Sequence, residues 1–287
     1  MQGNLIVEKL IKYAEFHLNL DEYDVIYQRN VLLSQLKLNR PYNGDFNFDY
    51  IKNLIVPDSI ILELKEYILE NKICNEEYVN IFITNILGEL TPLPSIINKT
   101  FNEIKNSIDS KTACKYLFNL SIKNGYIQKT AIDKNLHWTY KPLNKDTYLE
   151  ITINLSKPEK NNKDTAKLLL LKAGAKYPDC LLCKENEGFE GSLTQPARRN
   201  LRTIKLKLNN EKWFMQYSPY AYYNEHCIII NEEHHPMKID DTTPIKLLDF
   251  VDYLPNYFIG SNAPLPIVGG SILNHEHFQG GEHLMPM

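Results

Sequence analysis

The chain has 287 residues, 43% hydrophobic and 23% charged, a composition that excludes wholesale disorder and collagen-like repeats. Its 32 Lys and Arg against 35 Asp and Glu leave a net charge of −3, which argues against a dedicated nucleic-acid binder with its basic surface. No run reaches the roughly 18 apolar residues of a membrane span, and Met1-Gln2-Gly3-Asn4 lacks the basic flank of a signal peptide, so a soluble cytoplasmic protein is expected.

Up to about Gly125 the apolar spacing is helical. Leu5, Ile6, Leu10, Ala14 and Leu18 form a first stripe, and Asp21 begins a second helix with Asp24 in its first turn. Further helices are predicted over Ile60–Asn71, Tyr78–Leu87, Ser95–Ile108 and Thr112–Lys123, the last ended by Asn124-Gly125. Pro92 and Pro94 stop the Tyr78–Leu87 helix, because proline cannot donate to a helix and disfavours the α region in its predecessor. No titratable constellation occurs here, so the half reads as scaffold or subunit contact.

Beyond about Tyr126 the period changes. Leu149, Ile151, Ile153 and Leu155 alternate with polar residues as in a half-buried strand, and a short helix is expected from Asp164 to Lys172. Ile204, Leu206 and Leu208 alternate with lysines, Asn209-Asn210 turns, and Trp213–Tyr217 returns as a hairpin. Cys227–Ile230 reads as a strand covered on both faces. Thr243-Pro244 opens a helix to about Leu254, and Val268 to Gln279 should hold the final strand. The fold class is α+β: a helical region over 1–125, then an antiparallel α+β domain over 126–287.

Two segments carry chemistry. On an extended strand His275, His277 and Gln279 would share one face, with Glu276 and Phe278 on the other. Flanking glycine pairs let a ligand or another backbone approach closely. Such a face suits a polyanion such as a nucleoside phosphate; spacing alone leaves open plain surface histidines. The second segment is Cys180-Leu181-Leu182-Cys183, whose two thiolates suit one tetrahedral Zn²⁺ completed by two histidines. A redox pair fits less well, because the motif follows a predicted helix and precedes a Gly-rich loop instead of opening a helix after a strand.

These residues resemble the galactose-1-phosphate uridylyltransferases, in particular their second, bacterial-type branch, the UDP-glucose–hexose-1-phosphate uridylyltransferases. The match rests on Leu149 through Lys160, the Cys180/Cys183 knuckle, Pro196-Ala197-Arg198, and Tyr217 through Cys227. It continues through His234-His235-Pro236-Met237-Lys238-Ile239, Gly260-Ser261-Asn262, and Leu265 through Ser271 to His275-Glu276-His277-Phe278-Gln279-Gly280-Gly281. The resemblance implies a histidine-triad-like fold for the second domain. It implies a double displacement in which UDP-glucose gives its uridylyl group to His277 and galactose-1-phosphate then takes it. Gln279 would hold a phosphoryl oxygen, and Arg198, Lys157, Lys160, Asn262 and Ser271 would contact phosphate or sugar nucleotide. A structural zinc is implied on Cys180, Cys183, His234 and His275, with His235 able to replace His234. No organic cofactor, nucleic acid or membrane partner is implied.

Two departures from the pattern stand out. Gln195 and Leu201 occupy positions where histidines are expected, and the chain stops at Met287 soon after the nucleophile motif. The expectation is a chain truncated at its C-terminal end, of weak or absent activity alone, partnered by a second copy or a separate C-terminal segment. Two alternatives share these residues: a histidine-triad nucleotide hydrolase or phosphorylase, and a non-catalytic zinc-stabilised binding module.

Overall fold

Helix α1 (Gly3–His17) buries Ile6, Leu10 and Ala14 of the predicted stripe together with Val7, Ile11 and Tyr13, while Leu5 is only partly covered. The computed structural model describes residues 2–143, 147–156, 177–265 and 272–284. Contacts group them into two compact units, Met1–Ile97 with Asn119–Tyr126 and Glu185–Arg202, and Asn98–Phe118 with Ile127–Lys184 and Thr203–Met287.

In the first unit α1 packs on α2 (Val25–Gln35) and α3 (Asp58–Glu70), and α3 on α4 (Val79–Leu90). Ion pairs reinforce the apolar contacts: Lys9 Nζ lies 2.6 Å from Glu63 and Arg29 Nε 2.7 Å from Glu8. Asp21 does not start a helix; its side chain accepts the Tyr23 N–H, an Asx turn, and α2 begins at Val25. His17 is structural, its Nε2 donating to the Ile51 carbonyl at 2.7 Å. The unit boundaries fall within α5 (Pro94–Ser107) and α6 (Ser110–Lys123), and Gly125 (φ +72°) takes the left-handed conformation after α6.

Arg202 binds the first unit internally. Only 5% exposed, it donates to the carbonyls of Gly88, Thr91, Pro92, Arg199 and Leu201 at 2.5–3.3 Å. Three of these carbonyls lie in or just beyond the last turn of α4, where acceptors lack helical partners. Burial pushes its pKa down to about 10, so it stays charged at neutral pH.

The second unit holds two sheets. The two-stranded ribbon pairs β1 (Leu136–Tyr140) with β2 (Leu149–Ile153), matching Leu136 with Ile153, Trp138 with Ile151 and Tyr140 with Leu149. The sequence did not announce β1, and β2 is not half-buried as expected: Leu149 and Ile153 are exposed, and only Ile151 is partly covered. The β1 residues opposite, Leu136, Trp138 and Tyr140, are exposed as well, so this face of the ribbon is open to solvent.

The larger sheet is antiparallel throughout, in the order β3 (Ile204–Leu208), β4 (Glu211–Tyr217), β5 (Cys227–Asn231), β7 (His277–Gly281), β6 (Phe258–Ser261). The β3–β4 loop is the two residues Asn209 (φ +47°) and Asn210 (φ +63°), the conformation in which a tight hairpin matches the strand twist. β5 lies at the centre, which explains its continuous apolar run. Helix α7 (Lys129–Ile132) precedes β1, and α8 is Thr243–Tyr253 with Pro244 in its first turn.

The final strand is shorter than expected. It starts at His277; Ile272 (φ +56°) to Glu276 instead form a turn in which the His275 N–H donates to the Ile272 carbonyl. The helix expected at Asp164–Lys172 lies outside the described residues, as do Gly269 and Gly270. Among the described residues no helix is long and apolar enough to cross a membrane.

Arg202→Met removes every donor from the five carbonyls while keeping side-chain bulk. Its unfolding free energy, measured by urea denaturation, is expected to fall by about 2–4 kcal/mol.

Candidate active site and metal centre

Strand β7 sorts its side chains by face. Glu276, just before it, and Phe278 turn toward α8: Phe278 stacks on Trp213 with ring centroids 5.0 Å apart, and Glu276 meets Lys246 at 3.0 Å. His277 and Gln279 occupy the other face, beside their register partners Ile230 and Ile228 on β5. Leu182 of the cysteine knuckle packs on that face against Phe214 and Ile230. The glycines after His277 serve backbone approach. A Cβ on Gly280 would lie 2.6 Å from the Phe258 carbonyl oxygen, and one on Gly281 2.9 Å from that of Asn224.

The protonation pattern of His277 follows from its partners. Its Nδ1 is 2.8 Å from the His275 carbonyl, which can only accept, so Nδ1 carries the proton. In the neutral ring Nε2 therefore holds a lone pair, which accepts from Asn262 Nδ2 at 3.3 Å. Asn262 follows β6, whose Ser261 pairs with Phe278, and this register brings it opposite His277. Asn262 Oδ1 accepts from Gln279 Nε2 at 3.1 Å, and Gln279 Oε1 accepts from His226 Nε2 at 3.1 Å. Burial pushes the His277 pKa below its ordinary value, opposed by the bond to the His275 carbonyl, so the ring is neutral at physiological pH.

The second cluster is two residues away. One ligand atom from each of Cys180, Cys183, His234 and His275 lies within 4.8 Å of the others, so the four could hold a metal ion. Cys180 and Cys183 sulfurs are 3.4 Å apart, His275 Nδ1 is 3.3 Å from Cys180 Sγ, and His234 Nδ1 is 2.9 Å from Cys183 Sγ. His275 Nε2 donates to the Asn231 carbonyl at 2.8 Å, which leaves the lone pair of its Nδ1 turned toward the thiols. The donor set and its orientation fit a metal. His235 is turned elsewhere, with its Nε2 3.5 Å from Glu276.

The remaining candidates are placed differently. Arg198 belongs to the first unit, its guanidinium 5.5 Å from the Tyr126 ring centroid and its backbone N–H donating to the Phe189 carbonyl. Lys157, Lys160 and Ser271 lie outside the described residues. Leu201, where a histidine was expected, is buried, and the Gln195 N–H donates to Ser192 Oγ. Two residues were given no role in the sequence. His226 shares the parity of Ile228 and Ile230 along β5, the signal that could have found it; Lys246 sits in an amphipathic helix and gave none.

The family described as galactose-1-phosphate uridyl transferase, N-terminal domain, matches residues 61–236. The chain belongs to this family. Similar relatives are galactose-1-phosphate uridylyltransferases of Caldanaerobacter subterraneus subsp. tengcongensis (44% identical, covering 98% of this chain and 53% of the relative) and Clostridium acetobutylicum (46%, 98% and 55%). That of Butyrivibrio fibrisolvens is 41% identical over 98% of this chain and 71% of the relative. The chain thus spans about half the length of the first two. No solved structure matches it.

A cavity of about 440 Å³ opens on the His226 side of the site, within the second unit. Tyr222, Tyr223, Glu150, His283 and Glu225 contribute to its lining. Glu225 is buried and accepts a hydrogen bond from Tyr257, whose hydroxyl is 2.7 Å from that of Tyr217. Burial raises the Glu225 pKa, and the Tyr257 bond opposes this only in part. A carboxyl raised in the folded state stabilises less as pH rises from the ordinary carboxylate range through the raised value. Glu225→Gln should therefore melt above wild type at pH 7 in differential scanning calorimetry. That advantage should vanish once the pH falls below the ordinary carboxylate range.

Proposed function

We propose that this chain carries the uridylyl-transfer centre of a galactose-1-phosphate uridylyltransferase, with His277 as the nucleophile. One observation carries the proposal: the Nδ1–H of His277 is committed to a backbone carbonyl, so the lone pair of its neutral ring is on Nε2, facing the Asn262 amide. Such an imidazole attacks phosphorus without a separate base. The Nε2–P bond forms as the bond from phosphorus to the bridging oxygen breaks, and that oxygen leaves on glucose-1-phosphate. A phosphate oxygen of galactose-1-phosphate then attacks the same phosphorus, the N–P bond breaks, and UDP-galactose forms with His277 neutral again.

Asn262 and Gln279 supply the charge stabilisation in this scheme. Once Nε2 bonds to phosphorus, the Asn262 Nδ2–H loses its acceptor and is free to donate to a nonbridging phosphoryl oxygen. Gln279 Nε2 has a second N–H for the same purpose, and neither amide needs a counter-ion. Arg198, Lys157, Lys160 and Ser271 are assigned to phosphate and sugar-nucleotide contacts on the resemblance. Cys180, Cys183, His234 and His275 would hold Zn²⁺, a choice favoured by the two thiolates and two imidazoles. The ion's contribution when bound is structural, tying the Cys180 loop to the turn before β7. A cytoplasmic location and a second copy of the chain as partner complete the proposal.

The decisive experiment is mass spectrometry of the intact chain after UDP-glucose. A uridylyl adduct on His277 is expected, absent in His277→Ala and retained in His17→Ala. Release of UMP without a transferable adduct would assign the site to hydrolysis, and no adduct in folded protein would assign it to binding alone. The metal assignment has its own readout. Metal analysis should find about one zinc per chain, and chelation should lower the melting temperature of wild type while leaving Cys180→Ser/Cys183→Ser unaffected.

A further inference from the structure

We propose that His226 is a positioning residue that sets the orientation of the Gln279 amide, and thereby which atoms of Gln279 and Asn262 face the reacting phosphorus. The inference rests on His277 being the nucleophile. The two ends of a carboxamide are nearly identical in shape and opposite in chemistry, so rotation by half a turn exchanges donor and acceptor at no steric cost. Something must choose. His277 Nε2 chooses for Asn262, because a lone pair requires the Nδ2–H there. Asn262 Oδ1 then asks Gln279 for its Nε2–H, and His226 Nε2 closes the series by donating to Gln279 Oε1.

The ring of His226 is built to be rigid. It is 4% exposed, and its centroid lies 4.6 Å from that of Tyr223 and 5.5 Å from that of Tyr222. Its place before β5 puts it on the face of Ile228, the register partner of Gln279. Burial lowers its pKa, so it is neutral with one N–H to give. Without that donor Gln279 is free to turn its oxygen inward, where it would meet Asn262 Oδ1 or a phosphoryl oxygen. Oxygen against oxygen opposes the charge that develops in transfer.

The test is single-turnover uridylylation of the full chain at saturating UDP-glucose, followed by mass spectrometry. His226→Phe keeps a ring between the two tyrosines and is expected to slow adduct formation about tenfold, as loss of one orienting hydrogen bond should. Half-saturation by UDP-glucose should change less than about threefold. His226→Gln, whose Nε2 restores a donor, should recover most of the rate. In a Gln279→Ala background His226→Phe should add nothing further, since it acts only through that amide. An equal slowing in that background, or His226→Gln as slow as His226→Phe, overturns the proposal. Should wild type form no adduct, the nucleophile assignment fails on its own. The orientation is then read by ¹⁵N-edited NMR: a proton on His226 Nε2 that shifts in Gln279→Ala supports it, and an unprotonated Nε2 overturns it.

Discussion

The hydrogen bond from His277 Nδ1 to the carbonyl of His275 is the constraint from which the site's polarity follows. A carbonyl cannot donate, so the bond decides the tautomer, and the tautomer decides that Nε2 accepts. From there donor and acceptor alternate through Asn262 and Gln279 to His226. Four side chains from three separate stretches of chain thus share one directional pattern. Water at any of these positions could donate or accept freely; the side chains are held by burial and packing.

His275 links the two centres. Its carbonyl orients His277, while its ring points Nδ1 at Cys180 and Cys183 and anchors Nε2 on Asn231. The turn of Ile272–Glu276 makes this double use possible. On a continued strand, residues 275 and 277 would simply have repeated one another's direction. Ile272 takes a left-handed conformation that a β-branched residue rarely adopts, and the surrounding contacts must outweigh its cost.

The reverse side of β7 holds this geometry in place. Lys246 reaches Glu276 at 3.0 Å and Glu211 at 3.1 Å, and Asn231 Nδ2 donates to Glu276 at 2.9 Å. Lys246 and Glu276 are the buried pair here; such a pair contributes little net stability, but removing either partner leaves the other uncompensated. Backbone bonds add to it: the Glu276 N–H donates to the His235 carbonyl and the Asn231 N–H to the Glu276 carbonyl. The loop carrying His234 and His235, the end of β5 and the turn before β7 are therefore one hydrogen-bonded assembly.

Much of this was legible in the order of residues. Helical spacing located the helices of the first half, alternation with an Asn-Asn turn located the β3–β4 hairpin, and an unbroken apolar run marked β5 as a strand covered on both faces. The Cys-x-x-Cys knuckle and the His-x-His-x-Gln segment named the residues worth watching, because spacing within a few residues is a local property. Local spacing could not say that β2 would pair only with β1 among the described residues and leave its apolar side exposed. Nor could it say that the last strand would begin at His277. Tertiary structure alone decided that Asn262 would come opposite His277, that His226 would meet Gln279, and that His234 would turn to the thiols while His235 turned to Glu276. Those relations depend on strand register and on a turn that reverses the chain. Both join residues far apart in sequence, where no periodicity carries information.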